Sequence, residues 1–127
     1  MTVLEAACKG LVNISETDSP IIPILEPATG QLSIEGFVRE HLPSGGGQPI
    51  AAGPADEFFR RATLREEWHG PREHKRTEQF AKLRDVMYRN LEPVELIRAG
   101  HVKIEIFVLG FDSAGNIAGF RTNAVET

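Results

Sequence analysis

The last third of the chain does most to restrict its fold. From residue 101 to 109, Val102, Ile104, Ile106 and Val108 alternate with His101, Lys103, Glu105 and Phe107, the period of a strand with one buried face. Val94 to Arg98 leads into it through Ala99-Gly100, and Asp112-Ser-Ala-Gly-Asn116 forms a turn before a final strand from Ile117 to Val125. Strands joined by such short turns pair antiparallel, and their apolar face has to be covered by another part of the chain.

The upstream residues offer that cover. Thr2-Val-Leu-Glu5 has the form of a capping box, and Leu4, Ala7, Cys8 and Leu11 recur on one side of the helix it opens, with Gly10 suited to ending it. Ile21 to Leu25, interrupted by Pro23, reads as a short edge strand. A second helix is expected within Leu32 to Leu42, followed by the flexible composition of Leu42-Pro-Ser-Gly-Gly-Gly-Gln-Pro49 and a short strand at Ile50 to Ala52. A short helix in Pro54 to Ala62 would plant Phe58 and Phe59 in the core. Pro71 then opens a long amphipathic helix carrying Phe80, Leu83, Met87 and Leu91 on one stripe. Helices before and between strands, with an antiparallel end, make an α+β layered fold, and 127 residues are enough for one domain over residues 1–127.

Charge and composition narrow the function. With 18 acidic against 14 basic residues, the net charge of −4 opposes binding to a phosphate backbone, so no nucleic-acid partner is expected and a basic protein surface is the easier companion. Cys8, the single cysteine, cannot make an intrachain disulfide. The N-terminus lacks the basic and apolar regions of a secretory signal, and the longest apolar runs, IIPIL and IFVLGF, are far short of a membrane span. The expected setting is cytoplasmic, with no membrane partner.

No motif declares an enzyme. The histidines His41, His69, His74 and His101 show no HExxH or HxH spacing, no serine stands in a GxSxG context, and the run from Gly45 to Gly47 has no following Lys-Ser/Thr to cradle a phosphate. The chain therefore reads as a binding module without a cofactor of its own. Its most distinctive exposed chemistry is the segment Gly10 to Pro20, GLVNISETDSP, which reads as a loop with the carboxylates of Glu16 and Asp18 set among the hydroxyls of Ser15, Thr17 and Ser19.

Three stretches carry a specific resemblance. GLVNISETDSP, ADEFFRRATLREEW and the closing LGFDSAGNIAGFRTNAVET resemble the cyanobacterial nuclease A inhibitor family, in the same order and at comparable spacings, with the match weakest from Pro27 to Pro54. The resemblance implies a three-layer α/β/α sandwich with a mixed, largely antiparallel sheet. It implies an inhibitor that plugs the active site of a Mg-dependent, sugar-nonspecific nuclease, as a monomer in a 1:1 complex.

The roles implied by that family fall on Glu16 and on the terminal Thr127, which would reach the nuclease's catalytic Mg²⁺, with Ser15, Thr17, Asp18 and Glu126 beside them. Glu67 and Trp68 match a further interface position. Magnesium takes hard oxygen ligands and keeps open positions for substrate phosphate, so a carboxylate from Glu16 and the hydroxyl and α-carboxylate of Thr127 are suitable occupants. One departure stands out: Ser19-Pro20-Ile21 lacks the aromatic residues of the family example, the kind of side chain that anchors interfaces. An inhibitor-like scaffold retargeted to a different protein partner, in a toxin–antitoxin type of pairing, is the alternative this departure raises.

Overall fold

A computed structural model of the chain describes residues 2–14, 18–27, 33–42, 50–63, 70–100 and 103–125. Among these described residues, four helices and seven strands follow in the order α1 (Thr2–Cys8), β1 (Val12–Ile14), β2 (Asp18–Pro20), β3 (Ile22–Glu26), α2 (Ile34–Glu40), β4 (Ile50–Pro54), α3 (Asp56–Ala62), α4 (Pro71–Asn90), β5 (Val94–Ala99), β6 (Lys103–Phe111) and β7 (Ile117–Val125). The fold is α+β. Its main sheet has five strands in the order β3-β7-β6-β5-β4, and β1 and β2 form a separate two-stranded hairpin. Every pairing among the described residues is antiparallel, which narrows the expected mixed, largely antiparallel sheet to an antiparallel one. The edge strands are β3, which contains Pro23, and β4, which ends on Pro54.

Local chemistry accounts for the helices. Pro71 occupies the first position of α4, and the Glu73 carboxylate accepts the Gly70 N–H at 3.1 Å, so the exposed donors at the helix start are partly satisfied from within the chain. Ser33 does the same for α2, its hydroxyl accepting the Gly36 N–H at 3.0 Å. Thr77, Phe80, Leu83 and Met87 form the buried stripe of α4.

Two hydrophobic clusters divide the main sheet by the period of its strands. Ile104, Ile106 and Val108 of β6 join Ala118, Phe120 and Ala124 in a cluster with Leu4 and Cys8 of α1, Phe58 and Phe59 of α3, and the buried stripe of α4. The alternate positions Phe107, Leu109 and Ile117 cluster instead with Ile34, Phe37 and Val38 of α2. Successive side chains of a strand point to opposite faces, so α2 packs on one face and α1, α3 and α4 on the other. This revises the half-buried strand expected from the alternation: β6 is buried on both faces from Ile106 to Gly110.

Aromatic packing ties α3 and α4 to the sheet. Phe58 lies 5.3 Å from Phe120, 5.5 Å from Phe59 and 6.0 Å from Phe80, measured between ring centres. Burying each such ring contributes about 2–3 kcal/mol from apolar area alone. The β6–β7 turn is closed by Asp112, whose carboxylate accepts the N–H groups of Ala114 and Asn116 at 2.9 Å each and the Asn116 side-chain amide at 2.9 Å.

Candidate functional site

The acidic segment is not a plain loop. Gly10, at φ +78°, turns the chain out of α1, a conformation glycine takes without the penalty a Cβ would bring. Leu11 is buried, and its carbonyl accepts the Ile21 N–H at 3.0 Å. Between those residues β1 and β2 pair in the register Val12↔Pro20, Asn13↔Ser19 and Ile14↔Asp18. A hairpin therefore leads out from the core and back, where the residue types alone had suggested irregular chain.

Both strands of this hairpin pack against β7. The contact includes Thr122, which is 2% exposed and whose hydroxyl donates to the Ser19 carbonyl at 3.4 Å. Ser19 is itself buried. The hairpin consequently stands beside the closing half of β7, the half that leads to Val125, which is paired with Lys103 of β6. On the opposite face of β7, Arg121 donates to the Glu105 carboxylate at 3.2 Å and lies over the Phe107 ring at 5.2 Å, so this half of the strand is held from both sides.

The long helix α4 packs on α1 and α3. At its far end α4 connects to β5 through Leu91 to Pro93, where the Glu92 N–H donates to the Phe111 carbonyl at 2.9 Å. Its twenty residues rise about 30 Å, close to the length of β6 and β7.

Of the residues expected to form the site, Ser15, Glu16, Thr17, Glu67, Trp68, Glu126 and Thr127 lie outside the described residues. Asp18 is described in its backbone, as the β2 partner of Ile14. The described chain brings together the strands that flank these segments: Ile14 and Asp18 on the hairpin, and Val125 on β7. It also explains the Ser19-Pro20-Ile21 departure in part. Ile21 is 4% exposed and belongs to the core cluster of α1 and α4, so its side chain packs inward.

Thr122 and Ser19 are contributors that residue types and spacing did not single out as a pair. A signal existed for Thr122. It occupies an inward position of β7 between Phe120 and Ala124, and a hydroxyl at such a position needs a partner.

Burial pushes the Cys8 thiol up to about 12. The Asp112 carboxyl is held below its ordinary value, first by the Asn116 side-chain amide and then by backbone N–H groups of its turn. No group of His, Cys, Asp and Glu side chains among the described residues is arranged to hold a metal ion, and no helix among them is long and apolar enough to cross a membrane.

A family profile described as nuclease A inhibitor-like protein matches residues 1–127, the whole chain. The chain belongs to the nuclease A inhibitor-like family. No curated protein matches it. In this nuclease A inhibitor-like protein the hairpin and the last strand are braced against each other.

Proposed function

We propose that this chain is a non-enzymatic, cytoplasmic inhibitor that binds a Mg-dependent, sugar-nonspecific nuclease one to one and plugs its active site. The observation that carries the reading is the family match over the entire chain, and the bracing of the β1–β2 hairpin against β7 supports it. Glu16, which follows β1, supplies an anionic oxygen to the nuclease's Mg²⁺ in place of substrate phosphate. Thr127, two residues beyond the end of β7, supplies its hydroxyl and α-carboxylate, while Ser15, Thr17, Asp18 and Glu126 surround them. Glu67 and Trp68, which precede α4, extend the contact. The metal is the partner's, and the inhibitor brings no cofactor.

Hard oxygen ligands suit Mg²⁺, which leaves coordination positions open for substrate. The net charge of −4 favours approach to a cleft built to hold nucleic acid, so association is faster at low ionic strength.

The test is titration into a DNA-digestion assay with a Mg-dependent nonspecific nuclease. Stoichiometric loss of cleavage is expected from the wild-type protein, and Glu16→Ala, or extra residues after Thr127, should weaken it without unfolding the chain. Equal potency of all three proteins would remove the metal-reaching mechanism. A folded protein that inhibits no such nuclease would transfer the scaffold to a different protein partner, as the missing aromatic residues around Pro20 suggest.

A further inference from the structure

The two segments assigned to the partner's metal come from opposite ends of the chain, so their relative position depends on whatever joins the hairpin to β7. The chain supplies part of that join, because β2 runs through Ile21 into β3, which pairs with β7 from Ile22↔Arg121 onward; the hairpin itself lies beyond that pairing and needs a contact of its own. Within the described residues, the contact between these elements is marked by the hydroxyl of Thr122 donating to the Ser19 carbonyl at 3.4 Å, with both residues buried.

We propose that Thr122 is a positioning residue for inhibition: its hydroxyl straps the β1–β2 hairpin to β7 and so aligns the two binding ends of the chain. The inference rests on the inhibitor reading above. Thr122 is placed for this role by its strand. It shares a face with Phe120 and Ala124, both in the core, yet it alone of the three offers a hydroxyl. The neighbouring position, Arg121, is anchored to Glu105 and Phe107 on the other face. The strap is therefore attached where β7 is also held from its other face.

Deep burial gives the bond its weight. A hydroxyl at 2% exposure has no water to turn to, and losing it removes the bond that the Ser19 carbonyl accepts from β7, leaving only its pairing within the hairpin. An aligned pair of contacts also gains affinity through preorganisation, since the partner need not order the hairpin on binding.

Thr122→Val keeps the shape and removes the donor, whereas Thr122→Ser keeps the donor and removes a methyl group. Amide hydrogen exchange in the free protein reads the strap without any nuclease. Thr122→Val should raise exchange at the hairpin amides of Asn13 and Ser19 by about tenfold, the order expected for one hydrogen bond, and leave the β5 and β6 amides unchanged. Thr122→Ser should match the wild type. In the digestion assay Thr122→Val should weaken inhibition by about tenfold, again with Thr122→Ser near wild type, and the loss should shrink in a Glu16→Ala background because the two act through one alignment. Unchanged hairpin exchange in Thr122→Val, equal losses in Val and Ser variants, or full additivity with Glu16→Ala would each overturn the proposal. If the wild-type protein inhibits no nuclease, the functional reading fails separately, and the exchange comparison still decides whether the strap exists.

Discussion

Cys8 provides a prediction whose size follows from its surroundings. The residue is 1% exposed in the cluster formed by α1, α3, α4 and the sheet, and burial alone raises its thiol from 9.0 to about 12. In the unfolded chain the thiol ionises near its ordinary value. Because the folded pKa is the higher one, the stabilisation is fully present below about pH 9 and is lost between about pH 9 and pH 12, where the unfolded chain has released a proton that the folded chain retains. The slope is about 1.4 kcal/mol per pH unit, or about 4 kcal/mol across the window. Cys8→Ala removes this dependence and costs about 1 kcal/mol of packing. Urea unfolding of the two proteins from pH 8 to pH 11 should therefore show the wild type ahead by about 1 kcal/mol at pH 8, curves that cross near pH 10, and the variant ahead by about 2 kcal/mol at pH 11. Tyr88, whose pKa is also raised, is common to both proteins and cancels in the difference. Parallel curves would refute the buried-thiol reasoning. So would native-state labelling at the rate of a free thiol, since the thiolate fraction at pH 8 should be roughly a thousandfold lower than for an exposed cysteine.

Phe120, fully buried between Phe58 and Phe59, should cost about 3–5 kcal/mol when changed to alanine, read as a lower urea midpoint with an unchanged slope. Asp112 acts with the opposite sign to Cys8. Its folded pKa is depressed, so its stabilisation is present above its ordinary pKa of 3.8 and disappears as the pH falls through the lower folded value. Melting temperatures measured from pH 7 to pH 2 should thus fall less steeply for Asp112→Asn than for the wild type, and an equally steep fall would count against the turn's carboxylate.

Long, regular elements were legible from their side chains. The stripe of Phe80, Leu83 and Met87 announced α4, and the alternation through Ile104 and Ile106 announced β6. Both-face burial of β6 was less obvious, because Lys103 and Glu105 begin the strand with polar residues before the continuous apolar run from Ile106 to Leu109 takes over; that run was the available sign of cover on both sides. The β1–β2 hairpin is not legible in its residue types because it is held by backbone pairing and by Thr122, a contact 103 positions away in sequence, while its own residues are those of a turn-rich loop. Candidate site residues came from the resemblance and not from spacing. No local pattern links Glu16 to Thr127; the β3–β7 pairing and the packing of the hairpin on β7 relate the strands that lead to them.

The prolines at the two edges of the sheet have a consequence for the protein at high concentration. Ile22 and Leu25, each 47% exposed on β3, would make that edge attractive to a strand from another copy. Pro23 lies between them with no N–H to offer, and Pro54 closes β4 on the other side. A chain adding to either edge would meet a gap in its ladder costing about 1–3 kcal/mol for the buried carbonyl left without a donor. Stacking of copies edge to edge is discouraged at both sides, so the sheet resists growth into fibres even when the protein is kept in large excess over its partner.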